Sequence, residues 1–231
     1  MKQLPLPVRL RASSVFASYF PGPNAGVVGQ LLALEPRSRP PALWLYGPNG
    51  VGKSHLLQAI CARASERKWP SAYLPLGDAS MHPAMLAGCE SLSFICLDDF
   101  DRVAGQPEWE RAVFRLYTEL DDSGGRLLLA ATSPPSGVGI ALKDLASRLA
   151  AGTLLRIQPL SDDEQSAALT LRATQLGLEL PGDAAQYLLR RLPRDMATLC
   201  DALDALDQAS LATQRRLTVP FVRGVLEQRQ P

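Results

Sequence analysis

An apolar run, Leu43-Trp44-Leu45-Tyr46, leads straight into Gly47-Pro48-Asn49-Gly50-Val51-Gly52-Lys53-Ser54, which opens onto His55-Leu56-Leu57-Gln58-Ala59-Ile60. The middle stretch satisfies G-x-x-x-x-G-K-[ST] at every fixed position. Its flanks read as a strand and the start of a helix, the setting in which that pattern forms a phosphate-binding loop. Successive backbone N–H groups of such a loop converge on a β-phosphate, where the helix N-terminus adds a favourable dipole. Lys53 is expected to reach the β- and γ-phosphates and the Ser54 hydroxyl to ligate Mg2+, with His55 behind them on the helix. A chain with this unit is expected to bind a nucleoside triphosphate or diphosphate.

From this loop onward, buried-strand and helical patterns alternate. Strands are predicted at 43–46, 71–75, 92–98, 126–132 and 154–157, and helices at 54–68, 108–122 and 142–151. The run Leu92-Ser93-Phe94-Ile95-Cys96-Leu97-Asp98 is almost continuously apolar, as in a strand covered on both faces. Trp109, Ala112, Val113, Leu116, Tyr117 and Leu120 recur at helical spacing. This βαβα rhythm predicts a five-stranded, mostly parallel sheet flanked by helices. After Pro159 no further strand is evident. Ser161 and Glu164 stand at capping-box spacing, and helical segments follow at 162–176, 182–191, 196–214 and 220–229, punctuated by Pro181, Pro193 and Pro220. The expected organisation is a tail over 1–10, an α/β nucleotide domain over 11–158 and an all-helical lid over 159–231.

Asp98 and Asp99 close a buried strand, and ligands of open α/β sheets bind at that end of the strands. Beside a phosphate loop, Asp98 is expected to hold Mg2+, directly or through water, while Asp99 orients an attacking water. Thr132 and Ser133 end the next strand. Two readings stay open there: a hydrogen bond to the γ-phosphate or the attacking water, or a strand-to-loop transition before Pro134-Pro135.

Composition narrows the function classes. The chain has 231 residues and a formal net charge of +1, so no broad basic footprint for gripping DNA is present. No stretch is long and apolar enough to cross a bilayer, and the Pro-punctuated start cannot build a signal-peptide core. Cys61, Cys89, Cys96 and Cys200 lack paired metal-ligand spacing and read as small buried residues of a reducing, cytoplasmic protein.

Taken together, the phosphate loop, the Asp98-Asp99 and Thr132-Ser133 strand ends and the following helices resemble an AAA+ ATPase module of the DnaA-related family. The resemblance covers essentially the whole chain. Its most specific stretches are Phe16-Ala17-Ser18-Tyr19-Phe20, Asp144-Leu145-Ala146-Ser147-Arg148-Leu149, Leu160-Ser161-Asp162-Asp163-Glu164 and Leu217-Thr218-Val219-Pro220-Phe221-Val222. It implies ADP or ATP with Mg2+ as ligands, and a role in regulating replication initiation. DnaA itself continues into a helix-turn-helix domain that reads origin DNA. Here the sequence ends at Pro231 soon after the lid, so no direct sequence-specific DNA binding is expected. The rival expectation is a self-sufficient AAA+ ATPase of the helicase-loader or transposition-helper type, with the phosphate loop working in its own chain.

Particular positions follow from the resemblance. Gln3-Leu4-Pro5-Leu6-Pro7 looks like the motif by which regulatory members of the family dock on the replicative sliding clamp. Leu4 and Leu6 would fill an apolar pocket, the Gln3 amide would bond at its edge, and the stiff peptide would lose little entropy. Arg148 matches the family's arginine finger, the residue that enters a neighbour's nucleotide site. The other reading of Arg148 is an ordinary i,i+4 ion pair with Asp144. Ala197 stands where the family carries a lid sensor arginine. Arg194, one turn earlier, either compensates or lies on the surface. Loss of the sensor predicts slow hydrolysis by this chain itself, with bound nucleotide, chiefly ADP, acting as a structural ligand. DnaA is the implied partner, and a homo-oligomer is an assembly the resemblance allows.

Overall fold

The computed structural model describes residues 14–37, 40–193, 195–213 and 216–228. The predicted clamp-docking residues Gln3, Leu4 and Leu6, and Arg194, lie outside them. Five strands, β1 (Ala42–Tyr46), β2 (Ser71–Pro75), β3 (Phe94–Asp98), β4 (Arg126–Ala131) and β5 (Thr153–Arg156), form one sheet in the order β2-β3-β4-β1-β5. Every pairing is parallel. Every residue of β3 and β4 is buried, which is why these two strands read as unbroken apolar runs. Edge strand β5 is half exposed.

The order departs from chain sequence at one place. β1 lies between β4 and β5, so the chain crosses the sheet twice and leaves a crevice at the carboxyl ends of the strands. Register brings those ends level: Tyr46 is opposite Ala131, and Leu97 is opposite Leu129. The phosphate loop and the acidic strand end therefore emerge on the same rim.

The flanking helices are α1 (Ala25–Leu32), α2 (Lys53–Glu66), α3 (Pro107–Ser123) and α4 (Lys143–Ala150). Helix α1 was not expected from the sequence. It is only 8 residues long and includes Gly26 and Gly29, poor helix formers that blur its periodicity. A tertiary contact fixes its start. Buried Asn24 donates from Nδ2 to the Gln158 carbonyl at 2.9 Å and accepts the Gln158 N–H on Oδ1 at 2.7 Å. The core between sheet and helices holds Trp44, Ile95, Leu97, Phe100, Val113, Leu116 and Leu129. Trp44 and Phe100 meet edge to face with ring centroids 5.3 Å apart, and the Trp44 indole N–H donates to the Ser133 carbonyl at 2.9 Å.

By internal contacts the chain divides into two compact units. The first comprises 1–16, 24–48 and 53–158, the second 17–23, 49–52 and 159–231. The second thus takes in two stretches from the N-terminal side of position 158. Its helices are α5 (Asp162–Gln175), α6 (Gly182–Arg191), α7 (Met196–Thr213) and α8 (Val219–Gln228). The capping box forms at α5: Ser161 Oγ accepts from the Glu164 N–H at 3.3 Å, and Glu164 Oε2 accepts from the Ser161 N–H at 2.8 Å. Leu169, Leu188, Leu199, Leu203, Leu206 and Val222 make its core, each fully buried. Each such side chain contributes about 1.5–3 kcal/mol by its removal from water. Arg172 and Asp204 add an ion pair at 2.7 Å.

Among the described residues, no helix is long and apolar enough to cross a membrane. The four cysteines are free thiols; Cys61, Cys89 and Cys96 are buried and Cys200 is half-buried.

Candidate nucleotide site

The loop between β1 and α2 is held in shape from inside. Gly50 and Gly52 take φ of +77° and +95°, left-handed values that glycine adopts without Cβ strain. Among the described residues, the N–H groups of Asn49, Gly50, Val51 and Gly52 donate to no other backbone group. The first N–H groups of α2 have no intrahelical acceptor either. A run of such N–H donors at a helix start is a candidate anion cradle.

Lys53 completes it. The side chain is 7% exposed, and Nζ donates to the loop's own carbonyls, Gly47 O at 2.8 Å and Pro48 O at 2.9 Å. Burial pulls its pKa below the ordinary lysine value, and the charges of Asp98, Asp101 and Asp99 oppose that pull. The amine is therefore a desolvated cation beside a ring of carboxylates, and a phosphate would be a better acceptor than the two carbonyls. Ser54, next on the helix, is exposed. His55 Nε2 lies 3.0 Å from the Val15 carbonyl, which ties the loop's helix to the segment preceding Phe16-Ala17-Ser18-Tyr19-Phe20. His55 thus supports the site from behind.

The acidic strand end is ordered by neighbours that sequence reasoning missed. Asp98 is 1% exposed; Oδ2 accepts the Tyr73 hydroxyl at 2.6 Å, and Oδ1 accepts the Asp99 N–H at 3.0 Å. Burial, then the Asp98 charge, raise the Tyr73 phenol pKa well above its usual value, so Tyr73 stays a donor. Tyr73 comes from β2, one strand away, and no local pattern links it to Asp98. Asp99 sits at φ +55°, a left-handed conformation uncommon for a non-glycine residue. Burial raises its pKa first, with the Asp98 and Asp101 charges adding to the shift. Thr132 follows β4 and is turned toward this cluster. Its N–H donates to Asp101 Oδ1 at 3.2 Å, and its hydroxyl approaches Asp101 Oδ2 at 3.4 Å. Asp101 is thus a third carboxylate of the rim, visible in retrospect as the last residue of Asp98-Asp99-Phe100-Asp101.

These residues fit the expected ligands. Asp98 keeps free lone pairs on both oxygens, enough for a water-bridged Mg2+ contact. Among the described residues, no group of three or more His, Cys, Asp or Glu could hold a metal ion alone. That suits Mg2+, which keeps its waters and leans on substrate phosphates plus one or two protein oxygens. Ser54 and Asp98 are the side chains that would supply them.

Within the second unit, Asn49–Gly52 is packed by two side chains. The Tyr19 hydroxyl donates to the Val51 carbonyl at 3.4 Å, and a Cβ on Gly52 would stand 2.7 Å from Tyr19 Cε2. A Cβ on Gly50 would collide with the Asp195 Cβ. Asp195 Oδ1 accepts the Thr198 N–H at 2.8 Å at the start of α7, and the Met196 N–H donates to Gly50 O at 3.3 Å. Ala197 lies exposed one residue further on. Gly52→Ala is therefore expected to cost about 1–2 kcal/mol from the left-handed backbone alone. The Tyr19 contact adds to that cost, and the change should be read as a lowered Tm together with weakened ADP binding by titration calorimetry.

Arg148 lies on α4 and is exposed. No ion pair joins it to Asp144 among the described residues. Its guanidinium instead lies over two rings of α3, 5.3 Å from the Phe114 centroid and 5.4 Å from that of Tyr117.

Comparison with known proteins bears on the whole arrangement. The family model described as the Hda lid domain matches residues 162–226, and one described as RNA helicase matches residues 43–120. Domain III of the Thermotoga maritima replication initiation protein DnaA superposes with a TM-score of 0.78 at 19% identity, covering 96% of this chain and 98% of that one. Residues 162–226 thus match the Hda lid domain family, and the fold is that of DnaA domain III. AMPPCP-bound DnaA from Aquifex aeolicus gives a TM-score of 0.66 at 20% identity, over 88% of this chain and 67% of that one. The Thermotoga maritima RuvB Holliday junction branch migration motor gives 0.62 at 19% identity, over 87% and 68%. The chain thus shares the fold of its five-stranded sheet and flanking helices with the DnaA and RuvB structures, and its C-terminal helices match the Hda lid domain model.

Proposed function

We propose that this protein is a regulator of replication initiation that acts on a DnaA-type initiator, stimulating hydrolysis of the ATP the initiator carries and leaving it in the inactive ADP form. The observation that carries this reading is Arg148. It is exposed on α4, unpaired with Asp144 and rested on the rings of Phe114 and Tyr117. A guanidinium so displayed can enter a neighbour's nucleotide site and neutralise charge developing on the transferred phosphoryl group.

The chain's own cradle holds ADP or ATP with Mg2+ through Gly47–Ser54, with Ser54 and Asp98 on the metal. Mg2+ when bound supplies charge neutralisation at the phosphates. Lys53 anchors the phosphates, and Asp98 is oriented by the Tyr73 hydroxyl. With Ala197 at the sensor position, this nucleotide is retained more than consumed, and it stabilises the competent conformation by mass action.

The tail residues Gln3, Leu4 and Leu6 dock on the DNA-loaded sliding clamp, which concentrates the regulator where the initiator acts. Replacing all three by alanine is expected to lower clamp-dependent stimulation and clamp capture by at least about tenfold. Hydrolysis in the absence of clamp should be unchanged by the same substitutions.

The decisive experiment measures hydrolysis of DnaA-bound ATP with and without this protein, and with and without DNA-loaded clamp. Stimulation that requires both supports the proposal. Robust turnover by this protein alone, with no effect on DnaA, overturns it in favour of a self-sufficient ATPase.

A further inference from the structure

Glu110 is 1% exposed on the apolar side of α3, yet it carries a carboxylate. Such burial is costly unless the oxygens are satisfied by donors. Three backbone N–H groups do this. Oε1 accepts from Gly105 at 2.7 Å and Ala141 at 3.0 Å, and Oε2 accepts from Leu142 at 2.7 Å. Leu142 is the N-cap of α4, and no side chain of its own segment caps that helix. Glu110 supplies the missing acceptor from another helix and puts negative charge where the α4 dipole favours it.

The same face of α3 holds the other end of α4. Glu110, Phe114 and Tyr117 are spaced i, i+4, i+7, one stripe along the helix. The carboxylate grips the two N–H groups at the entrance to α4, and the rings support Arg148 in its last turn. Helix α4 has only 8 residues, so a shift at its start is carried directly to Arg148.

We propose that Glu110 is the positioning residue for Arg148: it caps α4 from outside and sets where the guanidinium stands. This rests on the reading of Arg148 given under Proposed function. Misplacing a reacting-site group by about an ångström costs up to about 10²-fold in rate.

The test uses the full chain with Glu110→Gln, which keeps the shape but presents one carbonyl oxygen where two carboxylate oxygens stood. DnaA-bound ATP hydrolysis, ADP affinity and backbone amide exchange are measured on this variant, on Arg148→Ala and on the double variant. Glu110→Gln should lower maximal stimulation at least about tenfold, with the half-saturating concentration and ADP affinity held within about twofold. Exchange at Ala141 and Leu142 should accelerate, and the double variant should be no worse than Arg148→Ala. Should Glu110→Gln fail to fold, Glu110→Asp, which keeps the charge but shortens the reach, is expected to give the same pattern in weaker form.

Wild-type stimulation by either Glu110 variant, or unchanged exchange at Ala141 and Leu142, overturns the proposal. Full stimulation by Arg148→Ala overturns the reading of Arg148 instead, while the exchange measurement still decides whether Glu110 holds α4.

Discussion

Arg148→Ala is expected to abolish stimulation of the initiator's ATP hydrolysis, by about 10³-fold or more at saturating protein, the range over which arginine fingers act in trans. Folding should survive. The side chain is exposed, its contacts are the faces of Phe114 and Tyr117, and a cation–π contact at such a site is worth about 0.5–1 kcal/mol. Tm should therefore fall by only a few degrees. ADP affinity should be unchanged, since Lys53 and the loop N–H groups are untouched. Arg148→Lys should rescue poorly, because an ammonium cannot present the planar fork of a guanidinium. Stimulation by Arg148→Ala at wild-type level would sink the assignment.

Lys53→Ala should show the second large effect, the loss of this chain's own nucleotide. Truncating one partner of a buried, hydrogen-bonded charge pair costs about 2–5 kcal/mol, so ADP affinity is expected to fall by about 10²-fold or more. The nucleotide-free protein should respond differently. Burial disfavours the charged amine there, so the isosteric Lys53→Met should hold or raise the ligand-free Tm while still losing ADP.

The pH dependence follows with a definite sign. The folded pKa of Lys53 is lowered from 10.5, so between the folded and unfolded values the unfolded chain binds more protons. Ligand-free stability from this group therefore rises as pH passes upward through the folded value, and is lost as pH falls back through it. Nucleotide binding needs the charged amine and weakens over the same window. The ADP-induced rise in Tm should shrink with increasing pH, and in Lys53→Met that component should vanish. An ADP-induced shift that grows with pH in the wild type would contradict the placement of Lys53.

Much of the frame is local and was legible. The strands around Leu43–Tyr46, Phe94–Asp98 and Leu127–Ala131 announce themselves because burial on both faces demands unbroken apolar runs. The α5 start was readable because a capping box is a contact between residues three apart, Ser161 and Glu164. Helix α1 was not, since its start is fixed by Asn24 bonding to Gln158, far along the chain.

The site divides in the same way. Gly47, Gly50, Gly52, Lys53 and Ser54 were readable as candidates because phosphate binding asks for residue types at fixed spacing, and Asp98 because it ends a buried strand. Tyr73 on Asp98, Asp101 on Thr132, Tyr19 over Gly52 and Glu110 under α4 were invisible, because each partner arrives from a different element.

The Arg148 question shows where that limit lies. By itself the sequence determined that an α/β nucleotide module precedes a helical lid, and that an arginine follows Asp144 by one helical turn. An i,i+4 ion pair and a free finger are equally compatible with that spacing. Only the tertiary structure decided against the ion pair. It brings the α3 stripe of Glu110, Phe114 and Tyr117 against α4, so that the carboxylate takes the helix start and the rings take the guanidinium. Spacing along a chain fixes which contacts a helix permits, and packing against a second helix selects the one that forms.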